Sequence, residues 1–533
     1  MSGFIRPLQT RQVASEFSAG GNLSVKAAGD VTLLASNLSA GNEAYLAAGK
    51  DLLIRAAQDE DYRFFNQTKK TSSSKKSLLE EIFSTTSVGS SVTAQGKTVL
   101  LAGNNLLVEG SNVISEKSGV SLVAGNDVKI VAATDSTSMR HESSSSKSSW
   151  GGFKSSKVKD QVSETQTNAV GSMISGNTVD VAAKRDAIIT GSSLVSTQDL
   201  TVHAGRDLTI NAAENTFTRD ERHKEKNRDL TGVLTGNKLG VDDITGNQHL
   251  SVSSQNHTGK SAQTTLMGST IGSSEGNVSL TSGRELSVIA SDLISTKNMS
   301  LIGSKVTIAA GMESASQSST DKSSSLAVGR VIGGMVLDTV NTIRSSVKAA
   351  NSADDPRLKA VKLAQAVMAL NDLGSMAGDT ENAGSDYANK QGSASNGSLI
   401  KIGTELANTH SKSTSEYASR TAKQSTINAG KSLLIIADGG VPGTAGDIHV
   451  IGSSLKAADT VLLAKDNIIL ESAQNTADWA NNNSNNKTAI GASFNLGEQN
   501  GFTLDLGASI ANTRRSTRPR WCGCGMPRTG KLW

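Results

Sequence analysis

A short motif returns in pairs along this 533-residue chain, and its spacing decides most of what the chain can become. Gly29-Asp30-Val31-Thr32-Leu33 is echoed by Gly49-Lys50-Asp51-Leu52-Leu53-Ile54. The pair returns as Ala102-Gly103-Asn104-Asn105-Leu106-Leu107-Val108 with Ala124-Gly125-Asn126-Asp127-Val128-Lys129-Ile130. Further copies lie at 183–189 with 204–210, at 282–288 with 303–308, and at 429–435 with 464–470. Within the first four pairs the spacing is 20 to 22 residues. Gly tolerates a positive φ, and the Asn, Asp, Arg or Lys beside it suits an exposed turn. The alternation that follows, as in Leu208, Ile210 and Ala212, sends one set of side chains inward and the other to water. A strand this short cannot bury its apolar face alone, so successive copies must stack. The expectation is an all-β parallel β-helix, a solenoid of coils.

Composition agrees. Apolar residues are 36% of the chain and aromatic residues 3%, so a thick aromatic core is excluded. The interior is left to Val, Ile, Leu and Ala, with Ala27, Ala56, Ala132 and Ala212 expected to fit where it is narrow.

Each pair ends in a second signature, Ala56-Ala57-Gln58-Asp59, Ala132-Ala133-Thr134-Asp135, Ala212-Ala213-Glu214-Asn215, Ala309-Ala310-Gly311-Met312-Glu313 or Ser472-Ala473-Gln474-Asn475. A polar excursion rich in Ser, Thr, Lys and Gly follows every time. The repeating unit is thus two coils plus an excursion, and the excursions lengthen along the chain as a solenoid tolerates. The longest, 311–427, carries the one helical pattern. Val336, Val340, Ile343 and Val347 form one stripe, and Asp354-Asp355-Pro356 opens a second helix bearing Leu358, Val361, Leu363, Val367 and Leu370. A helical hairpin laid on the solenoid is expected there. Arg330, Asp338 and Arg344 argue against a stable membrane span. The chain divides into a flank at 1–18, repeat blocks at 19–310, the long insertion at 311–427, a fifth block at 428–513 and a basic tail at 514–533.

The tail holds Arg514, Arg515, Arg518, Arg520, Arg528 and Lys531 with no acid, which exceeds the whole formal charge of +4. The first 513 residues are therefore slightly acidic, and net charge gives no sign of nucleic-acid binding. Both Cys, Cys522 and Cys524, also lie in the tail, which rules out a disulfide-stapled body. That compositional break after Thr513 suggests a shifted reading frame. No apolar run reaches the roughly 18 residues of a membrane-spanning helix.

Motifs for chemistry are not found. HExxH, P-loop and GxGxxG patterns are missing from the sequence, and no catalytic, cofactor-binding or metal-ligating residue is assigned. Cys522-x-Cys524 has too few partners for zinc. His203 and His449 stand beside inward strand positions and should face solvent. His223 sits in the charge run 219–226, read as a solvated surface. Asp30, Asp51, Asp127, Asp186, Asp207 and Asp466 recur because the turns need them. A β-helical lyase or hydrolase would interrupt the repeat with one charged cluster, and none stands out. Tyr62, Phe64, Phe65 and Trp150 are the candidate anchors for contact with another surface.

At the motif pairs the chain resembles the haemagglutinin-repeat region of bacterial two-partner-secretion exoproteins, the group of filamentous haemagglutinins and contact-dependent growth inhibition toxins. Their pattern A-G-[NKR]-[DN]-[LV]-x-[ILV], closed by [AS]-A-x-[DEN] and a polar insertion, covers about residues 19–513. The resemblance implies a right-handed β-helix filament, exported through an outer-membrane transporter, displayed at the cell surface and meeting a target-cell or host-cell receptor. In adhesins of the group the filament presents binding surfaces. In growth inhibition members this repeat class is associated with carrying a C-terminal toxin into a neighbouring bacterium. The family's N-terminal secretion domain and toxin motifs are not recognisable here, so the chain is expected to be an internal piece of a longer exoprotein.

Overall fold

The computed structural model describes residues 2–230, 241–242, 247–248, 251–329, 400–440, 445–496 and 501–517. The alternating segments close into ten coils of three short strands each, and each strand position stacks into its own ten-stranded parallel sheet. Coil 6 is typical, with strands Ser193–Ser196, Leu200–Ala204 and Leu208–Asn211. The stacking is in register, so that Ala187 meets Leu208 and Leu208 meets Leu286. One continuous apolar core runs through all the coils, filled by Leu, Ile, Val and Ala.

The paired motif is the third strand of each coil, with one exception. The copy at 429–435 belongs to the second sheet, as strand Ser432–Ala437. The third strand of that coil is Ile448–Ile451, reached after a corner that contains Gly439 at φ 59°. Asp447 then stands 20 residues before Asn467, which donates to it, and the common period is restored. The misreading has a simple cause, since second and third strands both open on a Gly-polar turn and then alternate.

The small residues of the interior also differ from expectation. Ala56, Ala132 and Ala212 are half-buried at a corner and Ala27 is exposed on the first coil. The buried small residues end the second strands, at Ala48, Ala102, Ala124, Ala183 and Ala204. Each coil is covered by the next, so the last inward pair, Ile468 and Leu470, is 46% and 66% exposed while Leu286 and Val288 are fully buried.

The polar excursions are not irregular. Each forms a long antiparallel hairpin, and the hairpins pair with one another into an eleven-stranded sheet beside the solenoid. They all leave from the corner between third and first strands, after every second coil. Strands Ala133–Ser149 and Lys154–Val170 make one hairpin, with a turn at Trp150–Gly152. The next are Ala213–Asp229 with Ser251–Met267 and Gly311–Gly329 with Ile400–Lys423. Residues 2–10 of the N-terminal flank are an edge strand of this sheet, paired with 60–68. At its other end strand Gly501–Thr517 runs across the boundary at 513. The two helices expected between 327 and 370 lie outside the described residues, save that 327–329 finish a strand.

The shared corner has its own chemistry. Where no hairpin leaves, the chain turns through a left-handed residue followed by serine, as at Ala35-Ser36, Gly110-Ser111, Gly191-Ser192 and Ala290-Ser291. Where a hairpin returns, serine is again first, at Ser90, Ser172, Ser269 and Ser425. These serines form a column down the solenoid. Ser90 N donates to Ser111 Oγ, Ser111 N to Ser172 Oγ, Ser172 N to Ser192 Oγ, Ser192 N to Ser269 Oγ and Ser269 N to Ser291 Oγ, at 3.0–3.3 Å. Each hydroxyl gives its own proton to a carbonyl at the end of a third strand, as from Ser172 to Val131 at 2.8 Å and from Ser269 to Asn211 at 2.7 Å. The left-handed position is matched to the hairpin start above it. A Cβ on Gly191 would come within 2.4 Å of the Ala213 Cβ, and one on Gly311 within 2.7 Å of the Ala290 Cβ. In these two pairs one member is glycine.

Candidate interaction surface

The recurring turn acids are stacked rather than merely tolerated. Asp127 accepts hydrogen bonds from Nε and Nη2 of Arg185, at 2.9 and 2.8 Å, and from the backbone N–H of Asp186 in the next coil. Arg206 engages Asp186 in the same bidentate way, and Arg284 engages Asp207. The arginine hydrogen bond holds the Asp127 and Asp207 carboxyls below the usual aspartate range. Asp51 is lowered chiefly by the N–H of Asn105. These acids serve coil stacking, which accounts for their recurrence.

On the hairpin sheet the charge run at 219–226 becomes an alternating strand with two distinct faces. Arg219, Glu221, His223 and Glu225 point to one side, and Asp220, Arg222, Lys224 and Lys226 to the other. On the first face four titratable side chains line up across four neighbouring strands, in the order Asp160, His223, His257, Asp321. His223 Nδ1 is 2.5 Å from Asp160 and His257 Nδ1 is 2.6 Å from Asp321. Glu221 lies 3.1 Å from His257 Nε2 and is itself held by Arg219, which also meets Glu164. Glu225 is 3.5 Å from His223 Nε2. The hydrogen bond to Asp160 raises the His223 pKa above its ordinary value, and that to Asp321 does the same for His257. The run is thus a connected cross-strand network, where the sequence alone suggested a solvated face.

A raised histidine pKa contributes stability that is complete below the unfolded value, near pH 6.5, and is lost as pH climbs through the folded value. The hairpin sheet should therefore melt at lower temperature as pH is raised from about 6 to about 9, a window in which carboxylates and lysines do not titrate. The variant Asp160→Asn with Asp321→Asn should flatten that dependence. Thermal unfolding followed across the window checks this, and a transition that rises with pH would contradict it.

The same face carries Tyr417 opposite Trp479, 41% and 38% exposed, on strands 400–423 and 476–496. Sixty-two residues separate them, and no local signal links them. Of the anchors read from sequence, Tyr62 is half-buried and donates to Glu81 at 2.9 Å, Phe64 and Phe65 are half-buried on the same strand, and Trp150 opens a hairpin turn. His203 is exposed, and His449, half-buried, lies 3.1 Å from Glu471. Cys522 and Cys524 lie outside the described residues. Among the described residues no group of three or more His, Cys, Asp or Glu is arranged to hold a metal ion, and no helix is long and apolar enough to cross a membrane.

A sequence profile described as "Hemagglutinin repeat" matches five times, at residues 8–79, 68–162, 151–242, 250–355 and 406–519. The chain belongs to the haemagglutinin-repeat family. Curated relatives of this haemagglutinin-repeat chain include the tRNA nuclease CdiA of Escherichia coli (strain STEC_O31), 30% identical over 379 residues, which is 70% of this chain and 11% of the relative. The 16S rRNA endonuclease CdiA of Enterobacter cloacae is 30% identical over 378 residues, again 70% and 11%. The deoxyribonuclease CdiA of Dickeya dadantii is 29% identical over 406 residues, 75% and 11%. The aligned part is thus about a tenth of each relative's length. No solved structure matches the haemagglutinin-repeat chain.

Proposed function

We propose that this chain is a non-catalytic filament segment of a secreted bacterial surface exoprotein, and that it helps to deliver a C-terminal toxin to neighbouring bacteria. One observation carries the reading. Relatives named as a tRNA nuclease, an rRNA endonuclease and a deoxyribonuclease match similar lengths of this chain at about the same identity. A stretch common to proteins that cut three different nucleic acids is better suited to carrying than to cutting. The architecture supports this, since contacts run between neighbouring coils and between neighbouring hairpins, as in a modular spacer. The partners on this reading are an outer-membrane transporter of a two-partner system and a receptor on the target cell.

The test exchanges the aligned stretch of the Escherichia coli relative for this chain. Surface display, read by protease shaving of intact cells, and growth of co-cultured target bacteria are then measured. Retained display with inhibited targets is expected. Loss of display would overturn the filament reading. Display without inhibition would favour a filamentous adhesin, a reading to which the exposed Tyr417–Trp479 pair lends some support.

A further inference from the structure

The face of the hairpin sheet opposite His223 and His257 is basic in a way that hairpin pairing alone produces. Three neighbouring cross-strand rows define it. In the first, Lys157 stands directly opposite Lys226. In the second, Lys159 is opposite Lys224, and two strands further on Lys322 is opposite Lys412. The third contributes Arg222. All seven side chains are exposed, and none is in an ion pair with a described residue. Glu142, the acid in the Arg222 row, is taken up by Arg140 at 2.6 Å. Asp220, Glu416 and Asp478 share this face but lie in rows nearer the solenoid. These lysines lie on one side of the sheet and the Asp160, Glu221, Glu225 and Asp321 carboxylates on the other, where Lys69 and Lys76 share the Glu225 row.

Like charges directly opposite on adjacent strands are destabilising, and this face carries four lysine pairs, since Lys70 stands opposite Lys75 in the row of Lys157 and Lys226. The surface between them is not flat. Hollows of 680, 590 and 330 Å³ open on it, the first walled by Lys157 and Lys226, the second by Lys159 and Lys224, the third by Lys322 and Lys412. Ser, Thr and Asn fill the intervening positions, among them Ser254, Asn256, Thr258 and Ser484.

We infer that this face binds a polysaccharide bearing phosphate monoesters. Directly opposed lysines have Cβ atoms about 5 Å apart, so two ammonium groups can converge on one anion. A phosphate monoester carries close to two negative charges at neutral pH and matches such a pair, whereas a sulfate ester or a nucleic-acid phosphodiester carries one. The pairs are spaced for a chain, with about 7 Å between those on the same two strands and about 14 Å across the three strand steps to Lys322 and Lys412. The hydroxyl and amide side chains between them suit sugar hydroxyls. Between strands 154–170 and 400–423 these rows hold no Phe, Tyr or Trp, so this part of the face lacks the stacking platform of a single-stranded nucleic-acid site. The inference stands apart from the delivery reading, since it concerns only what this face holds.

The experiment measures binding of the full chain to phosphomannan, to the same polymer after phosphatase treatment, to heparin, to a single-stranded DNA oligonucleotide and to phosphatidylglycerol vesicles. Phosphomannan should bind best, and removal of its phosphates should weaken binding by roughly tenfold or more. The variant Lys159→Gln, Lys224→Gln, Lys322→Gln, Lys412→Gln should lose a similar factor. A control with the same net charge, Lys97→Gln, Lys117→Gln, Lys297→Gln, Lys431→Gln, should keep wild-type affinity. Thermal unfolding verifies that the first variant is folded, and if it is not, the single pair Lys322→Gln, Lys412→Gln takes its place. Equal loss in test and control variants would reduce the effect to overall charge and overturn the inference. Tighter binding of heparin, DNA or vesicles through the same lysines would overturn the assignment to a phosphomonoester glycan.

Discussion

A chain carrying Leu208→Asp and Ile210→Asp should lose coil 6 while distant coils survive. Both side chains are fully buried in the third strand of that coil. They stack on Ala187 and Ile189 on one side and on Leu286 and Val288 on the other. Two carboxylates set there would have neither water nor a counter-charge, and the joint cost should exceed about 5 kcal/mol. In a solenoid that cost falls on one coil and its two interfaces. Limited proteolysis should therefore open new cleavage sites between about residues 187 and 290, with the blocks before 131 still resistant. The hairpin sheet should loosen in the same place, because hairpin 213–267 springs from that coil. An unchanged cleavage pattern would contradict the solenoid, and uniform collapse would contradict its modular energetics.

The serine column should give the second largest effect. Ser269 is fully buried, accepts the N–H of Ser192 and donates to the carbonyl of Asn211. Ser172 does the same for Ser111 and Val131. Replacing either by alanine leaves a buried N–H and a buried carbonyl short of a partner, at a cost of roughly 1–3 kcal/mol for each site. Ser453→Ala, on the half-buried last coil, should cost less than about 1 kcal/mol, since water can reach the carbonyl of Ile451. Chemical denaturation of the three variants orders them. A Ser269→Ala protein within a few tenths of a kcal/mol of the parent would mean that the column is incidental.

The coils could be read from sequence because their signal is local. Alternation and a glycine turn recur within 20 residues, and stacking only repeats what one coil already says. Even so, the sequence pattern pairs the copy at 429–435 with 464–470 although the two lie in different sheets, because the second and third strands share one local pattern. The hairpins could not be read in the same way. Strands such as Ala133–Ser149 are Ser- and Thr-rich, with no apolar period to mark them. Their stability comes from ladders to partners in other excursions. The serine column was visible as repeated Gly-Ser and Ala-Ser pairs, but serine is so common in the excursions that the corner did not stand out. The lysine rows and the His223–His257 alignment were beyond a linear reading. Lys159 and Lys322 share a row only after four strands have been placed in register.

The two-sided sheet turns hairpin length into a question of parity. Side chains alternate strictly along a strand, so one residue inserted within Ala213–Asp229 would carry every position beyond it to the other face. Lys224 and Lys226 would then join the carboxylates, and His223 would enter the lysine rows. Residues gained or lost in twos, or at the tips, would leave both faces intact. The solenoid corners are indifferent to such changes, since each hairpin leaves and returns beside the same serine column. Drift in excursion length is thus filtered by the neighbouring hairpins, through charge, while the coils that carry them take no part.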